Sequence, residues 1–111
     1  MAEVYDDETR IVGRRIAEAR RAACLTQAEL ATRVGWPRDT LVNVEHGRRP
    51  ITVTRLSQIA QSLHLPLAAL FVDDPHVAQL VTRLIQGSEE EREQVAFFLD
   101  SLVSADIPAA E

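Results

Sequence analysis

The chain contains no lysine, only one cysteine, four glycines and few aromatic residues, and each shortage excludes classes of protein. A single cysteine, Cys24, cannot build a disulfide framework and fits a reducing compartment, so we expect a cytoplasmic protein. We expect Cys24 to be a small packing residue of an alanine-rich helix. The longest apolar stretches are a few residues, so no transmembrane span and no membrane partner are predicted. Residues 1–7 carry three acids and no apolar run, which is not typical of a signal peptide.

Signatures of catalysis and of metal binding are missing as well. The three histidines, His46, His64 and His76, stand at no metal-ligand spacing. The glycines include no G-x-G arrangement that could cradle a phosphate. No nucleophile stands with a base and an orienting group, and no paired catalytic carboxylates are evident. We therefore expect neither an enzyme nor a metal or cofactor.

Charge is distributed unevenly along the chain, although the net charge is −5. All twelve basic residues are arginines. Residues 8–60 hold ten of them against five acids, a net charge of +5, whereas residues 61–111 have a net charge of −7. A basic half joined to an acidic half is typical of a nucleic-acid-binding region followed by a tail with another function. A surface whose charges are only solvated would give the same charge distribution.

Apolar residues recur at spacings of three and four, which predicts an all-α fold. We predict helices over residues 7–23, 27–34, 37–46, 53–63 and 65–71, followed by two more after residue 74. Thr26 with Glu29, and Ser88 with Glu91, have the spacing of capping boxes. Gly35 and Gly47 follow helical segments, where a left-handed residue is favoured. Ala28, Ala31 and Gly35 are small, and we expect them where two helices approach closely.

The densest set of features lies in residues 25–49, LTQAELATRVGWPRDTLVNVEHGRR. This segment resembles the helix-turn-helix of the phage repressor and Cro family, also called the XRE family, and the resemblance covers roughly residues 8–72. It implies a five-helix repressor-like helix-turn-helix domain with a C-terminal two-helix extension. We call residues 8–72 the head and residues 73–107 the tail.

The resemblance also implies roles for polar residues of the head. In the family the third helix lies in the major groove, which implies base contacts by Arg38, Asp39 and Asn43. Phosphate contacts are implied for Gln27, Thr40, Arg48 and Arg49, and a structural salt bridge for Arg20 with Glu45. A carboxylate such as Asp39 also stabilises a helix N-terminus without any DNA.

Two residues depart from the family pattern. Trp36 replaces the usual aliphatic residue of the turn, and its indole either fills the core or lies near a DNA backbone. Pro37 stands where a Ser or Thr cap is common, and it removes an N–H that could bind a phosphate.

The tail carries two apolar stripes that a small head cannot cover completely. One way to cover these stripes is to form a homodimer, because family heads read one half-site each and dimers read two. The other way is that both helices fold back on the head. The residues expected at a dimer interface are Val77, Leu80, Val81, Leu84, Val95, Phe98, Leu99 and Leu102. The sequence thus predicts a DNA-binding transcriptional regulator, a repressor on a two-fold operator; the alternative is an antitoxin-like or adaptor protein whose tail binds another protein.

Overall fold

The computed structural model describes residues 7–106, and within that range it contains helices and no strand. The helices are α1 (Asp7–Ala22), α2 (Gln27–Val34), α3 (Arg38–Glu45), α4 (Val53–Ser62), a 3₁₀ helix (Leu67–Leu70), α5 (Pro75–Gln86) and α6 (Glu89–Asp106). The predicted all-α fold is confirmed. The predicted fifth helix is a single 3₁₀ turn, and the last residue assigned to the tail, Ile107, lies outside the described range.

Side-chain caps fix where the helices begin. The Thr26 hydroxyl accepts from the Glu29 N–H (3.1 Å), while the Glu29 carboxylate accepts from the Thr26 N–H (2.9 Å). Ser88 and Glu91 form the same reciprocal pair at the start of α6. Both predicted capping boxes are confirmed, and each satisfies two N–H groups that a helix leaves unpaired.

Four helices end on a left-handed residue followed by a six-to-one backbone hydrogen bond. Two of these residues are glycines, Gly35 (φ 74°) and Gly47 (φ 70°), as predicted. The other two are Cys24 (φ 59°) and His64 (φ 57°); only a few per cent of non-glycine residues adopt this conformation, histidine more often than most. The N–H groups of Leu25 and Leu65 close these two turns on Arg20 and Ala60, and both leucines contribute to the core.

The expectations for Cys24 and for two of the small residues are wrong. Cys24 is exposed and follows α1, because the left-handed turn directs it away from the core. Ala28 is exposed, and a Cβ on Gly35 would meet nothing within 4 Å. The left-handed backbone at position 35 is therefore what favours glycine there, and a close approach of helices is not. Ala31 is buried as expected.

The close approach occurs at Gly13 of α1, which the sequence analysis did not single out. A Cβ there would lie 2.3 Å from the Val44 carbonyl oxygen and 2.9 Å from that of Glu45, both at the end of α3. These oxygens are backbone atoms that cannot shift without displacing α3. The absence of a side chain at Gly13 therefore allows α1 and α3 to pack this closely. The core around them is continuous, and its fully buried members are Ile16, Leu30, Leu41, Ile59 and Leu70.

The two tail helices differ in their relation to the head. Helix α5 packs on the 3₁₀ helix through the buried Ala78, and Gln86 donates to the His64 carbonyl. By contrast, every described side chain of α6 is exposed. Arg92 fixes the corner between α5 and α6, because its Nη1 donates to the carbonyls of Leu84 (3.2 Å) and Gly87 (2.6 Å).

Glu29 provides a prediction about acid stability. The N–H and hydroxyl of Thr26 bind its carboxylate and lower its pKa from the ordinary value of 4.5. A carboxyl with a lowered folded-state pKa stabilises the fold at pH values above its unfolded pKa, and this contribution disappears as pH falls through the folded pKa. When the pH is lowered from about 5 to about 3, the free energy of unfolding should fall less in Glu29→Gln than in the parent chain. Urea unfolding at several pH values measures this.

The matched control is Glu8→Gln, which removes one acid from the exposed first turn of α1. It measures how the loss of one exposed acid from the first turn of a helix affects unfolding at each pH. Equal pH dependence of Glu29→Gln and the parent would contradict the prediction.

Candidate nucleic-acid interface

Two eight-residue helices, α2 and α3, pack against each other through a three-residue turn. Leu30 of α2 and Leu41 of α3 are fully buried between them and the rest of the head. The turn is short because Gly35 reverses the chain and Pro37 starts α3. Such a pair presents the second helix as a protruding edge, which is the geometry that enters a major groove.

Helix α3 has one buried face and one face open to solvent. Leu41, Val44 and Glu45 are buried, whereas Arg38 and Asp39 are exposed and Asn43 is half-buried. Because residues 39, 42, 43 and 46 share one side of a helix, Val42 and His46 lie beside Asp39 and Asn43. Neither Val42 nor His46 was singled out from the sequence, although helical periodicity places both on this side.

The N-terminus of α3 has no side-chain cap. Pro37 occupies the cap position, and its carbonyl oxygen accepts from the N–H groups of Thr40 (3.1 Å) and Leu41 (3.4 Å). A helix start without a capping side chain carries N–H groups and a positive dipole end that favour a phosphate or a carboxylate. Asp39 lies in this first turn, so it stabilises α3 whether or not it contacts a base.

Glu45, the last residue of α3, anchors that helix to α1 and α2. Its Oε2 accepts from Arg20 Nε (2.7 Å), and its Oε1 accepts from Arg20 Nη2 (3.1 Å) and Gln27 Nε2 (2.9 Å). Arg20 also donates to the Leu25 carbonyl (2.8 Å). The paired side chains of Arg20 and Glu45 are only 9% and 3% exposed. The network therefore fixes the direction of α3 relative to the start of α2.

Gln27 has a part in this network and remains half-buried at the first position of α2. Its Nε2 uses one hydrogen for Glu45, which leaves a second amide hydrogen for another acceptor. The family resemblance implies a phosphate contact for Gln27, and the hydrogen bond to Glu45 shows that this side chain also braces α3.

The arginines separate into paired and unpaired sets. Arg10, Arg14, Arg15 and Arg20 of α1 each have an acidic partner, and Arg14 pairs with both Glu18 and Asp73. No acid of the described range forms a salt bridge with any of the other eight arginines. Four of these eight, Arg38, Arg48, Arg49 and Arg55, lie in α3, in the loop after it and in the first turn of α4, and all four are exposed. The cationic charge near α3 is therefore not neutralised within the described chain.

Arg15 was not recognised from the sequence as a structural residue. It is 6% exposed, its Nη1 donates to Glu18 (2.7 Å), and its Nε donates to the Ala69 carbonyl (3.4 Å). These contacts attach the 3₁₀ helix to α1. A buried arginine on a helix that also carries exposed arginines gives no local sequence signal.

The residues expected at a dimer interface are exposed or half-buried. In α5, Val77 and Leu80 are exposed and Val81 and Leu84 are half-buried. In α6, the exposed members are Val95, Phe98, Leu99 and Leu102, together with Val103. Exposed apolar side chains in such a contiguous pattern mark an interaction surface more often than a solvated one.

Residues 7–106 contain no cluster of three or more His, Cys, Asp or Glu side chains that could hold a metal ion. None of their helices is long and apolar enough to cross a membrane.

Comparisons with known proteins support the resemblance to helix-turn-helix regulators. The helix-turn-helix family matches residues 16–70. A transcriptional regulator in the ATPase CF(0) region of Rhodospirillum rubrum is 37% identical over 62 residues, which span 56% of this chain and 57% of that protein. An HTH-type transcriptional regulator of Sinorhizobium fredii is 40% identical over 57 residues, which span 51% of this chain and 74% of that protein.

Solved structures show the same architecture. The restriction-modification controller protein C.AhdI of Aeromonas hydrophila is 29% identical, with a TM-score of 0.57 over 60% of this chain and all of that chain. The transcriptional regulator BswR shares the fold at 23% identity, with a TM-score of 0.71 over 86% of this chain and 98% of that chain. With the α2–α3 geometry, these similarities show that the chain belongs to the XRE-type helix-turn-helix family of DNA-binding transcriptional regulators, not to a family of enzymes.

Proposed function

We propose that this protein is a repressor that binds a two-fold DNA operator as a homodimer in the cytoplasm. The observation that carries the proposal is the open face of α3, which is held rigidly by the Glu45 network and flanked by unpaired arginines. In this proposal Arg38, Asp39 and Asn43 contact bases. Arginine pairs with guanine, asparagine with adenine, and a carboxylate accepts from cytosine.

Phosphate contacts position α3 in the groove. We assign them to Gln27, Thr40, Arg48 and Arg49. Gln27 and Thr40 are half-buried beside the start of their helices, whereas Arg48 and Arg49 are exposed in the loop after α3. Contacts of this kind fix orientation and carry no sequence information.

The proposal divides the chain into a DNA-binding head and a dimerising tail. Helix α5 adheres to the head through Ala78, so it joins the two parts rigidly. Helix α6 has no buried side chain among its described residues, and in this proposal it offers its apolar stripe to a second copy. A two-fold pair of tails would place two α3 helices on successive half-sites.

The proposal is tested by selecting bound sequences from random DNA with the full-length chain. We expect an enriched sequence with two-fold symmetry. Arg38→Ala and Asn43→Ala should each cost about 1–3 kcal/mol of binding free energy and relax the preference at one position per half-site. Arg48→Ala should weaken all sequences alike.

Comparison of the three variants separates base contacts from backbone contacts. If Arg38→Ala and Asn43→Ala weaken every sequence as uniformly as Arg48→Ala does, the assigned base contacts are wrong. If no sequence is enriched at all, operator binding itself is wrong.

A second candidate function is an adaptor whose tail binds a different protein, and Phe97 favours it. Phe97 is 77% exposed and lies on the side of α6 opposite to Val95, Leu99 and Leu102. A two-fold contact through one stripe leaves this ring uncovered. Light scattering of the purified chain distinguishes the two functions, because a monomer in solution would favour the adaptor.

A further inference from the structure

Trp36 and Arg55 form a contact that the proposed function does not use. The centre of the Arg55 guanidinium lies 5.5 Å from the centroid of the Trp36 ring, within the range of a cation–π interaction. Trp36 is half-buried and packs against the core, so it both fills space and keeps part of its surface open. It is the one tryptophan of the sequence.

The ring positions Arg55 without neutralising it. The backbone of Arg55 is fixed in the first turn of α4, because its N–H donates to the Thr52 hydroxyl (3.2 Å). Its side chain is exposed and forms no salt bridge with an acid of the described range. An aromatic face orients a guanidinium while its edge, which carries the N–H donors, stays available for another partner.

Both residues of the contact are close in sequence to parts of the proposed DNA interface. Trp36 directly precedes Pro37 and Arg38 at the start of α3. Arg55 follows the loop that carries Arg48 and Arg49, at the start of the next helix. The pair therefore connects the turn before α3 with the first turn of α4, the helix that follows the Arg48–Arg49 loop in the chain.

We propose that Arg55, oriented by Trp36, is an additional phosphate-binding residue of the DNA interface. This inference rests on the proposed function and adds a contact to it. The Arg55 guanidinium donates to a phosphate oxygen through its edge while its face remains on the indole. The competing interpretation is structural: the side chain of Arg55 only shields the indole from water.

The dependence of operator affinity on salt concentration distinguishes these roles. For a dimer, Arg48 and Arg49 alone give a log–log slope of about −3.6, and a third arginine per protomer gives about −5.4. Arg55→Met keeps an apolar side chain over the Trp36 ring and removes the charge. It should therefore reduce the magnitude of the log–log salt slope by about 1.8. Arg55→Lys keeps the charge and should retain a slope near that of the parent chain.

The control is Arg83→Met, which removes one exposed arginine from α5, far along the chain from α3. Its slope should equal that of the parent chain. Because the sequence has a single tryptophan, its fluorescence provides a second measurement at the contact itself. We expect operator DNA to change the Trp36 emission of the parent chain more than that of Arg55→Met.

The outcomes separate this inference from the proposed function. A parent chain without salt-sensitive operator binding would refute the proposed function. Normal parent binding with an unchanged slope in Arg55→Met would refute only the Arg55 contact. A lower melting temperature of Arg55→Met with an unchanged slope would assign Arg55 the structural role and also overturn the inference.

Discussion

Glu45→Ala should lower the free energy of unfolding by roughly 3–5 kcal/mol, because it leaves a buried arginine without its counter-ion. Arg20 is held almost entirely out of water, and two of its nitrogens donate to Glu45. The substitution also removes the acceptor of the Gln27 amide. Urea unfolding of the parent and variant chains at neutral pH measures the loss.

Two further variants show whether burial is the cause. Arg20→Met combined with Glu45→Leu replaces both charges by apolar side chains of similar size, and such replacements are often neutral or stabilising. Arg14→Met removes an exposed arginine that pairs with Glu18 and Asp73, and exposed pairs contribute about 0–1 kcal/mol. A loss of less than about 1 kcal/mol in Glu45→Ala would show that water reaches Arg20.

Sequence-based prediction succeeded where the determining contacts are local. The capping pairs Thr26–Glu29 and Ser88–Glu91 span three residues each, so their side chains meet whenever a helix starts there. The helices before Cys24 and His64 were predicted to end at residues 23 and 63, but the left-handed conformation of these two residues was not predicted, because packing of Leu25 and Leu65 into the core imposes it. Cysteine has no preference for that conformation, and the enrichment of histidine in it is too small to identify a single position.

The same distinction holds within the candidate interface. The polar residues of α3 could be located from helical spacing and the family resemblance. The contact of Arg55 with Trp36 could not, because the two residues are far apart in sequence and meet only through packing of α2 on α4. Gly13 was also missed, since its role depends on how closely α1 approaches the backbone of α3.

Leu99→Asp combined with Leu102→Asp should convert the protein from a dimer to a monomer. Both side chains are about half exposed in the single chain, at 50% and 47%, and lie on the α6 stripe with Val95 and Phe98. If the apolar stripes of α5 and α6 pack against the same stripes of the second protomer, roughly 1,000 Å² or more of accessible surface is buried, as in stable interfaces. Two carboxylates per protomer within that area would be desolvated without partners, which is costly.

Loss of the dimer should weaken operator binding by about two to four orders of magnitude. In a dimer, binding of one head holds the second head close to its half-site, so the second contact forms at high effective concentration. A monomer keeps the contacts of α3 to one half-site and loses this advantage. Light scattering measures the mass, and titration with a full operator and with a single half-site measures both affinities. Affinity for the single half-site should remain near that of the parent chain.

The head of this variant should remain folded, because its fully buried side chains, among them Ile16, Leu41 and Ile59, lie outside α6. Ser101→Asp is the matched control: it adds one carboxylate beside Leu102, but its side chain lies off the stripe. This control should stay dimeric and bind the operator normally. A Leu99→Asp/Leu102→Asp protein that is still dimeric would move the interface to α5 or the head. If Ser101→Asp also became monomeric, the two-fold contact would have to surround α6, and Phe97 on its opposite side would then belong to the same interface.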